Sequence, residues 1–431
     1  MRKHLHLFAF FMLLVASVCI AEENLVVISP HWEGVKIEIE KAFKKYYYNI
    51  KQKDIRIEWL DQGGTSDDLK YVESLFKKNP QTTGIDVFFG GGLDPYLRLK
   101  EKGYLASCKI PVKILKEIPK ECNGIPNYDN KDYTWYGVVL ASFGILCNKK
   151  ALQFLGVSEP KKWSDLAKPE YYSWVGTSDP RHSGSMHMMF EIILQANGWE
   201  KGWEVILGIL ANTTSIPASA SQAAKDTAIG QTAVSLSIDS YALAQIEVNG
   251  PENMSFVLPE RETVINPDCV GILKGAPHFE NATIFIEFLL TDECQKLWMY
   301  PKGSPGGPEK YSLNRLSIKP AIYKDCPIPV VNPYQKKLDL AFDFTLASKR
   351  WAIVNDLAGV FAIDCASYLR KAYKKVIDGR ADRKIFFEIP VKESQQNYLI
   401  ENWKDPVFRN TYLNKYLKFS IEKYKSCIKH K

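Results

Sequence analysis

A chain of 431 residues, 46% hydrophobic and 24% charged with 12% aromatic side chains, is long enough for two or three packed units and excludes a largely disordered protein. Its formal charge of +7 is carried by runs such as KAFKK (41–45) and SIEKYKSCIKHK (420–431), where bases alternate with apolar residues as on a solvated helix face, so nothing marks a nucleic-acid partner.

Residues 1–21 differ from all that follow. Arg2 and Lys3 precede the apolar run LFAFFMLLVASVCI, which closes on Ala21 before Glu22 and Glu23, the pattern of a secretory signal peptide. The run is short for a membrane span, and bulky Val18 before Cys19 spoils a lipoprotein site. Cleavage after Ala21 removes two positive charges and lowers the +7 to +5. Of nine cysteines, eight remain: Cys108, Cys122, Cys147, Cys269, Cys294, Cys326, Cys365 and Cys427. An even count in an exported chain permits disulfides, and Cys108 and Cys122, flanking a Pro- and Lys-rich loop, are the best local pair. Cys147, Cys269 and Cys294 sit in apolar patterns that suit small buried residues. There is no C-x-x-C.

The segments LVVIS (25–29), IRIEW (55–59) and IDVFF (85–89) read as strands, separated by the helical patterns VKIEIEKAFKKYY and SDDLKYVESLFKK. This βαβαβ rhythm predicts an α/β protein with a parallel sheet, whose ligands sit beyond the carboxyl ends of the strands. Ser29, His31, Trp32 and Glu33 follow the first strand and so occupy such a place. The third strand runs into Gly90, Gly91 and Gly92, which serve either a tight turn or a close approach of backbone amides to a ligand. WYGVVLASFGILCN (135–148), containing Ser142, is a long strand able to carry the chain from one unit to the next. DPRHSGS (179–185) precedes the helix MHMMFEIILQAN. Its Ser183, Gly184 and Ser185, next to the ligand candidate His182, either form an anion-binding end with Arg181 as a fork donor, or Ser183 simply caps the helix and Arg181 pairs with a surface carboxylate. TAVSLSIDSYALAQI (232–246) is a strand then a helix, bringing Asp239 and Tyr241 to their junction. PDCVGILKG (267–275) is a return strand, and ENATIFIEFLLTDECQKLWMY (280–300) one amphipathic helix. Beyond the loop PKGSPGGPEK the chain turns helical, with Val354, Leu357, Phe361, Cys365, Tyr368, Ala372 and Val376 forming one apolar face that ends near Gly379.

No G-x-S-x-G, G-x-x-x-x-G-K-[ST] or H-E-x-x-H occurs, so no catalytic role is assigned to any residue. The stretches VVISPHWEGVKIEIEKAF, GIDVFFGGGLDPYLRLKEKGYL, FGILCNKKALQFLGVSEPKKWSDLAKPEYYSWVGTSDPRHSGS, GWEKGWEVILGILANTT, DTAIGQTAVSLSIDSYAL and VINPDCVGILKGAPHFENATIFIEFLLTDECQKLW resemble, in that order, the extracellular solute-binding proteins of ABC importers, and more narrowly their ferric-iron-type group. The likeness covers roughly residues 25–300. It implies a two-lobed periplasmic binding protein of the second topological type, with crossing strands as a hinge, a ligand cleft between the lobes, and here a helical C-terminal extension. The expected division is residues 22–145 with a return segment near 265–310 as the first lobe, 146–264 as the second, and 311–431 as a mainly helical region packed on both.

The resemblance also implies the function: an exported, non-enzymatic carrier at the periplasm or extracellular face, working as a monomer, that closes around a solute and delivers it to an ABC permease at the inner membrane. No cofactor is required, Fe³⁺ being a candidate cargo. His31 matches in position a histidine that some ferric binders use as a ligand. Those proteins continue with two adjacent tyrosines where this chain has only Tyr241, with Asp239 before it. A ferric site here would draw on His31, Glu33, Asp239 and Tyr241. A phosphonate or sugar phosphate would instead be held by the glycine amides, Ser142, Arg181 and Ser183–Ser185. The alternative class is a secreted hydrolase acting on small anions. N-terminal sequencing of exported protein should find Glu22 first, whereas a lipid-modified Cys19 would show the leader to be of another kind.

Overall fold

A computed structural model of the protein describes residues 23–327, 332–335 and 338–429, so the signal peptide expected over residues 1–21 lies outside the described residues. The strands are β1 (Glu23–Ile28), β2 (Ile55–Leu60), β3 (Val87–Phe89), β4 (Glu121–Cys122), β5 (Ile125–Pro126), β6 (Tyr136–Asn148), β7 (Val175–Gly176), β8 (Val234–Ile238), β9 (Met254–Val257), β10 (Ile265–Ile272) and β11 (Leu316–Ser317). All but the β4–β5 hairpin join one sheet in the order β2-β1-β3-β10-β6-β8-β7, with β9 and β11 also on β6. β1 runs parallel to β2 and β3, and β7 to β8, while β6 and β10 run against their neighbours.

β6 is the member that both halves share. Its first part, to Ser142, pairs with β10, and from Phe143 onward it pairs with β8 and β9. Twelve of its thirteen residues are buried, which is why it reads as an unbroken apolar run rather than an alternating one. The flanking helices follow from their stripes. In helix Glu33–Lys51 the residues Val35, Ile39, Phe43 and Tyr47 recur every four positions and are buried, Glu33 opens the first turn and Lys51 closes the last. Helix Thr65–Lys78 repeats the design, with Leu69, Val72 and Phe76 buried, Asp67 and Asp68 at its start, and Lys77 and Lys78 at its end.

Three expectations are corrected. The segment 280–300 forms two helices, Phe279–Leu289 and Asp292–Met299, because Thr291 caps the second by accepting a hydrogen bond from the Cys294 amide at 3.2 Å. The C-terminal apolar face is split into helices Phe344–Phe361 and Ala366–Ile377 by a break at Ala362, which turns Asp364 toward Arg181. Residues 316–317, in the region expected to be mainly helical, pair with β6, and the long α-helices of that region begin with Phe344–Phe361. Cys108 and Cys122 are both free and buried: the first meets Thr283 Oγ1 at 3.4 Å and the second Asn123 Nδ2 at 3.6 Å. Burial pushes both thiols up, Cys122 to about 11.

Helix Phe344–Phe361 packs against both helix Asp94–Glu101 and helix Gly184–Asn197. Segment 344–377 is apolar and long enough to cross a bilayer by composition, and its burial in this junction accounts for that character. Arg350 grips Glu191 through Nε, 3.0 Å from each carboxylate oxygen, and Nη2 at 2.6 Å, while Nη1 donates to Gln396. Asn355 Oδ1 lies 2.8 Å from His187 Nδ1. Asp94 is buried at the start of its helix, and burial, with the Glu191 charge second, pushes its carboxyl up to about 8.

Two outcomes follow. Glu191→Leu leaves the Arg350 charge buried without its partner and should cost about 3–5 kcal/mol in urea unfolding, much of it recovered in Glu191→Leu/Arg350→Met; a loss below about 1 kcal/mol would show that water reaches the pair. Unfolded, the Asp94 carboxyl ionises near 4, but folded it keeps its proton to about 8. The folded state therefore binds the extra proton in that window, and stability falls as pH rises through it. Asp94→Asn should remove that part of the slope between pH 5 and 8, and an unchanged slope would mean that Asp94 titrates normally.

Candidate functional site

A cavity of about 130 Å³ lies where the strands of the two halves end, a volume comparable to cavities that admit one benzene-sized molecule. One wall carries His31 and Trp32 after β1, Gly63–Thr65 after β2, and Gly91, Gly92 and Asp94 after β3. The other carries His182–Ser185, Ala218–Ala220 and Tyr241, while Ala141, Phe143, Asn266, Asp268 and Arg315 also line it. Thr65, Asp94, Gly184 and Ala220 each begin a helix. Helix starts present unpaired amides and the positive end of the helix dipole, an environment that favours negative charge.

Asp268, on β10, anchors the floor. Its Oδ1 accepts from the Gly92 amide at 2.8 Å, its Oδ2 from His31 Nε2 at 3.1 Å, and Arg315 Nη2 stands 3.7 Å away. Burial alone would raise this carboxyl, but His31, Arg315 and the Gly92 amide hold it well below the usual carboxylate range. With Asp268 ionised, His31 carries its proton on Nε2 and accepts from Ser29 Oγ at 2.9 Å through Nδ1. Burial, helped by the Arg315 and Lys36 charges, pushes the imidazole down. The His31 ring also packs on Phe89, 4.6 Å between centroids. The triple glycine makes this possible. All three residues have positive φ (97°, 90° and 83°), and a Cβ on Gly90 would come within 2.5 Å of the His31 ring.

The walls touch at the rim. His182 Nδ1 lies 2.9 Å from Asp67 Oδ2, Lys70 Nζ donates to the Arg181 carbonyl at 3.3 Å, and a Cβ on Gly64 would be 2.3 Å from the His182 carbonyl oxygen. Three buried polar atoms on cavity-lining residues have no partner among the described residues: Arg315 Nη1, Asn266 Oδ1 and Asp94 Oδ1. Each unmade bond costs roughly 1–3 kcal/mol, a cost that polar atoms of a ligand or of water would offset.

Of the residues that the sequence nominated, His31, Trp32, Gly91, Gly92, His182, Ser183, Gly184, Ser185 and Tyr241 line the cavity. Ser183 also caps its helix, its Oγ accepting from the Met186 amide at 3.3 Å. Six others do not line it. Arg181 is spent elsewhere: Nε and Nη2 hold Asp179 and Nη1 holds Asp364. Ser142 donates from both its amide and Oγ to Asp239, whose other oxygen accepts from the Ser240 amide. Burial pushes the Asp239 carboxyl up to about 6 against those bonds and the Arg315 charge. Glu33 is exposed on the first turn of its helix, Gly90 donates its amide to the Cys269 carbonyl, and Ser29 is 0% exposed. The set His31, Glu33, Asp239 and Tyr241 is therefore not assembled as a metal site. Both ring nitrogens of His31 are engaged, and no group of three His, Cys, Asp or Glu suited to a metal occurs among the described residues.

Sequence reasoning missed Arg315, Asp268, Asn266, Thr65, Asp94 and the Gly63–Gly64 pair. A carboxylate in the apolar run VINPDCVGIL was a signal for Asp268, since a buried charge demands partners. GGT at the end of a strand was the same signal as the triple glycine. Arg315, in a loop, gave none. Ser29, His31 and Asp268 form a hydrogen-bonded Ser–His–Asp chain, in which Ser29 is buried and is not among the cavity-lining residues.

Known proteins agree with this architecture. The chain is 29% identical over 222 residues to the phosphoglycerate transport regulatory protein PgtC of Salmonella typhimurium, a match spanning 50% of this chain and 55% of that protein, about half the relative's length. Its fold is similar to the periplasmic binding protein AfuA from Actinobacillus pleuropneumoniae with fructose-6-phosphate bound (TM-score 0.65, 22% identity, 80% of this chain and 100% of that one). It is also similar to the apo ferric ion-binding protein A of Pasteurella haemolytica (TM-score 0.59, 18% identity, 77% and 96%). Both comparisons identify a two-lobed binding-protein fold, to which this chain adds the C-terminal helices. The family model for the bacterial extracellular solute-binding proteins matches residues 82–320, more than half of the chain, and the protein belongs to that family.

Proposed function

We propose that this solute-binding protein captures a small phosphorylated solute, a sugar phosphate or phosphoglycerate in kind, between a lobe of residues 22–145 with the return segment 265–310 and a lobe of residues 146–264. It would then release the solute to an ABC permease, acting as an exported carrier rather than an enzyme. The observation that carries this reading is the Arg315 guanidinium, 7% exposed, with Nη1 unpartnered in a cavity ringed by helix starts. A guanidinium beside open amides suits a phosphate group. Asn266 Oδ1 can accept from a ligand hydroxyl, and the protonated Asp94 adds a hydrogen-bonding partner without repelling an anion. The relative with phosphoglycerate in its name and the neighbour with fructose-6-phosphate bound support the same class. The ferric-binding neighbours support Fe³⁺, but a ferric ion needs unspent donors, and here those of His31 and Asp239 are engaged.

A thermal-shift panel of 3-phosphoglycerate, fructose 6-phosphate, inorganic phosphate and ferric citrate selects the ligand, since a ligand at 100 times its Kd adds about 2.7 kcal/mol. For a phosphorylated hit, Arg315→Ala should weaken binding by about 1.5–3 kcal/mol in calorimetry, while Arg181→Ala leaves affinity within about two-fold, the scale of a surface charge outside the site. Affinity that survives Arg315→Ala sinks the reading. Ferric binding whose colour is lost in Tyr241→Phe would put iron in its place, and product formed from the bound solute, abolished by Ser29→Ala, would restore the hydrolase.

A further inference from the structure

The loop that delivers Arg315 is held from both sides of the cleft. Between helix Asp292–Met299 and β11, the carboxylate of Glu38, itself buried, accepts the backbone amides of Glu309, Lys310 and Tyr311 at 3.0, 2.6 and 2.9 Å. That fixes the middle of the loop to helix Glu33–Lys51, and the Tyr311 ring stands edge-on to Trp32 at the cavity. The next residues turn to the opposite side. Glu247 accepts from Ser312 Oγ through Oε1 at 2.8 Å and from Asn314 Nδ2 through Oε2 at 3.1 Å. Asn314 takes a left-handed φ of 53°, and the following residue, Arg315, donates its amide to the Trp298 carbonyl at 2.9 Å before its side chain enters the cavity.

We infer that Glu247 is a positioning residue for the ligand, acting through Arg315. Glu247 belongs to helix Asp239–Asn249, whose first turn supplies Tyr241 to the cavity. It therefore moves with the wall opposite to the one that anchors Arg315. Its two bonds to the Arg315 loop form only when the walls are together, and they restrain the left-handed turn that aims the guanidinium. Closure thus sharpens the very contact that the ligand uses, and the bonds must break before Arg315 can swing away with its own wall. The expected signature is slower release, because closure bonds act on dissociation more than on encounter.

This inference rests on reading the cavity as a phosphate site, and the test separates the two. With 3-phosphoglycerate and inorganic phosphate as probes, Glu247→Ala should speed dissociation about five-fold, the scale of exposed bonds to a carboxylate, with little change in association. Glu247→Gln, retaining one acceptor oxygen, should fall between. In an Arg315→Ala background the Glu247→Ala effect should vanish, a coupling that mere support of the fold would not produce. Equal effects in both backgrounds, or none in either, overturn the inference. If the unaltered protein binds neither probe, the phosphate reading fails by itself. The clamp is then judged without ligand by hydrogen exchange: faster exchange at the amides of 312–316 in Glu247→Ala supports it, and unchanged exchange overturns it.

Discussion

The cavity depends on one buried charge. A carboxylate removed from water costs several kcal/mol unless donors surround it, and Asp268 meets that demand by collecting the turn after β3 through Gly92, the turn after β1 through His31, and the loop before β11 through Arg315. Three segments distant in sequence converge because one oxygen pair needs them. The glycines answer the same demand, since side chains at 90 or 91 would strike His31 or Thr65. Because β10 lies between β3 and β6 in the sheet, the ligand floor is as fixed as the sheet itself.

What remains after those bonds are made decides the chemistry. The lone pairs of Asp268, Asp239 and His31 are largely engaged, and Asp94 keeps its proton at neutral pH. The unpartnered buried atoms on the cavity lining are one donor, Arg315 Nη1, and two oxygens, Asn266 Oδ1 and Asp94 Oδ1, beside the amides of helix starts. On the phosphate reading proposed above, an oxyanion would meet Arg315 Nη1 and the helix-start amides, while Asn266 Oδ1 would accept from a ligand hydroxyl.

The sequence was legible where local pattern and final environment coincide. The unbroken apolar run of β6 could only be a strand buried on both faces, and His31 and Trp32 were placed by the rule that ligands gather beyond parallel strand ends. Ser183–Ser185 stood before a helix and stayed there. Arg181 was open to two readings, an anion ligand or the partner of a surface carboxylate, and local pattern could not choose because Asp364, which claims it, lies 183 positions away. Arg315 was illegible for the same reason in reverse: its loop is shaped by Glu38, more than 270 residues earlier, and no local pattern in SLNRLSI marks it. Long-range partners, not propensities, decide which of two arginines is free.

The C-terminal helices add a mechanical consequence. Helix Phe344–Phe361 touches helices Asp94–Glu101 and Gly184–Asn197, one from each proposed lobe, and Arg350–Glu191, Asn355–His187 and the nearby Asp364–Arg181 pair tie this region to the second. Two bodies turning about a shared strand could not both stay still against a third, so in the closure proposed above the contact with helix Asp94–Glu101 is the one that would slide. Because Asp94 both opens that helix and lines the cavity, such a slide would begin beside the solute and run outward along the helix.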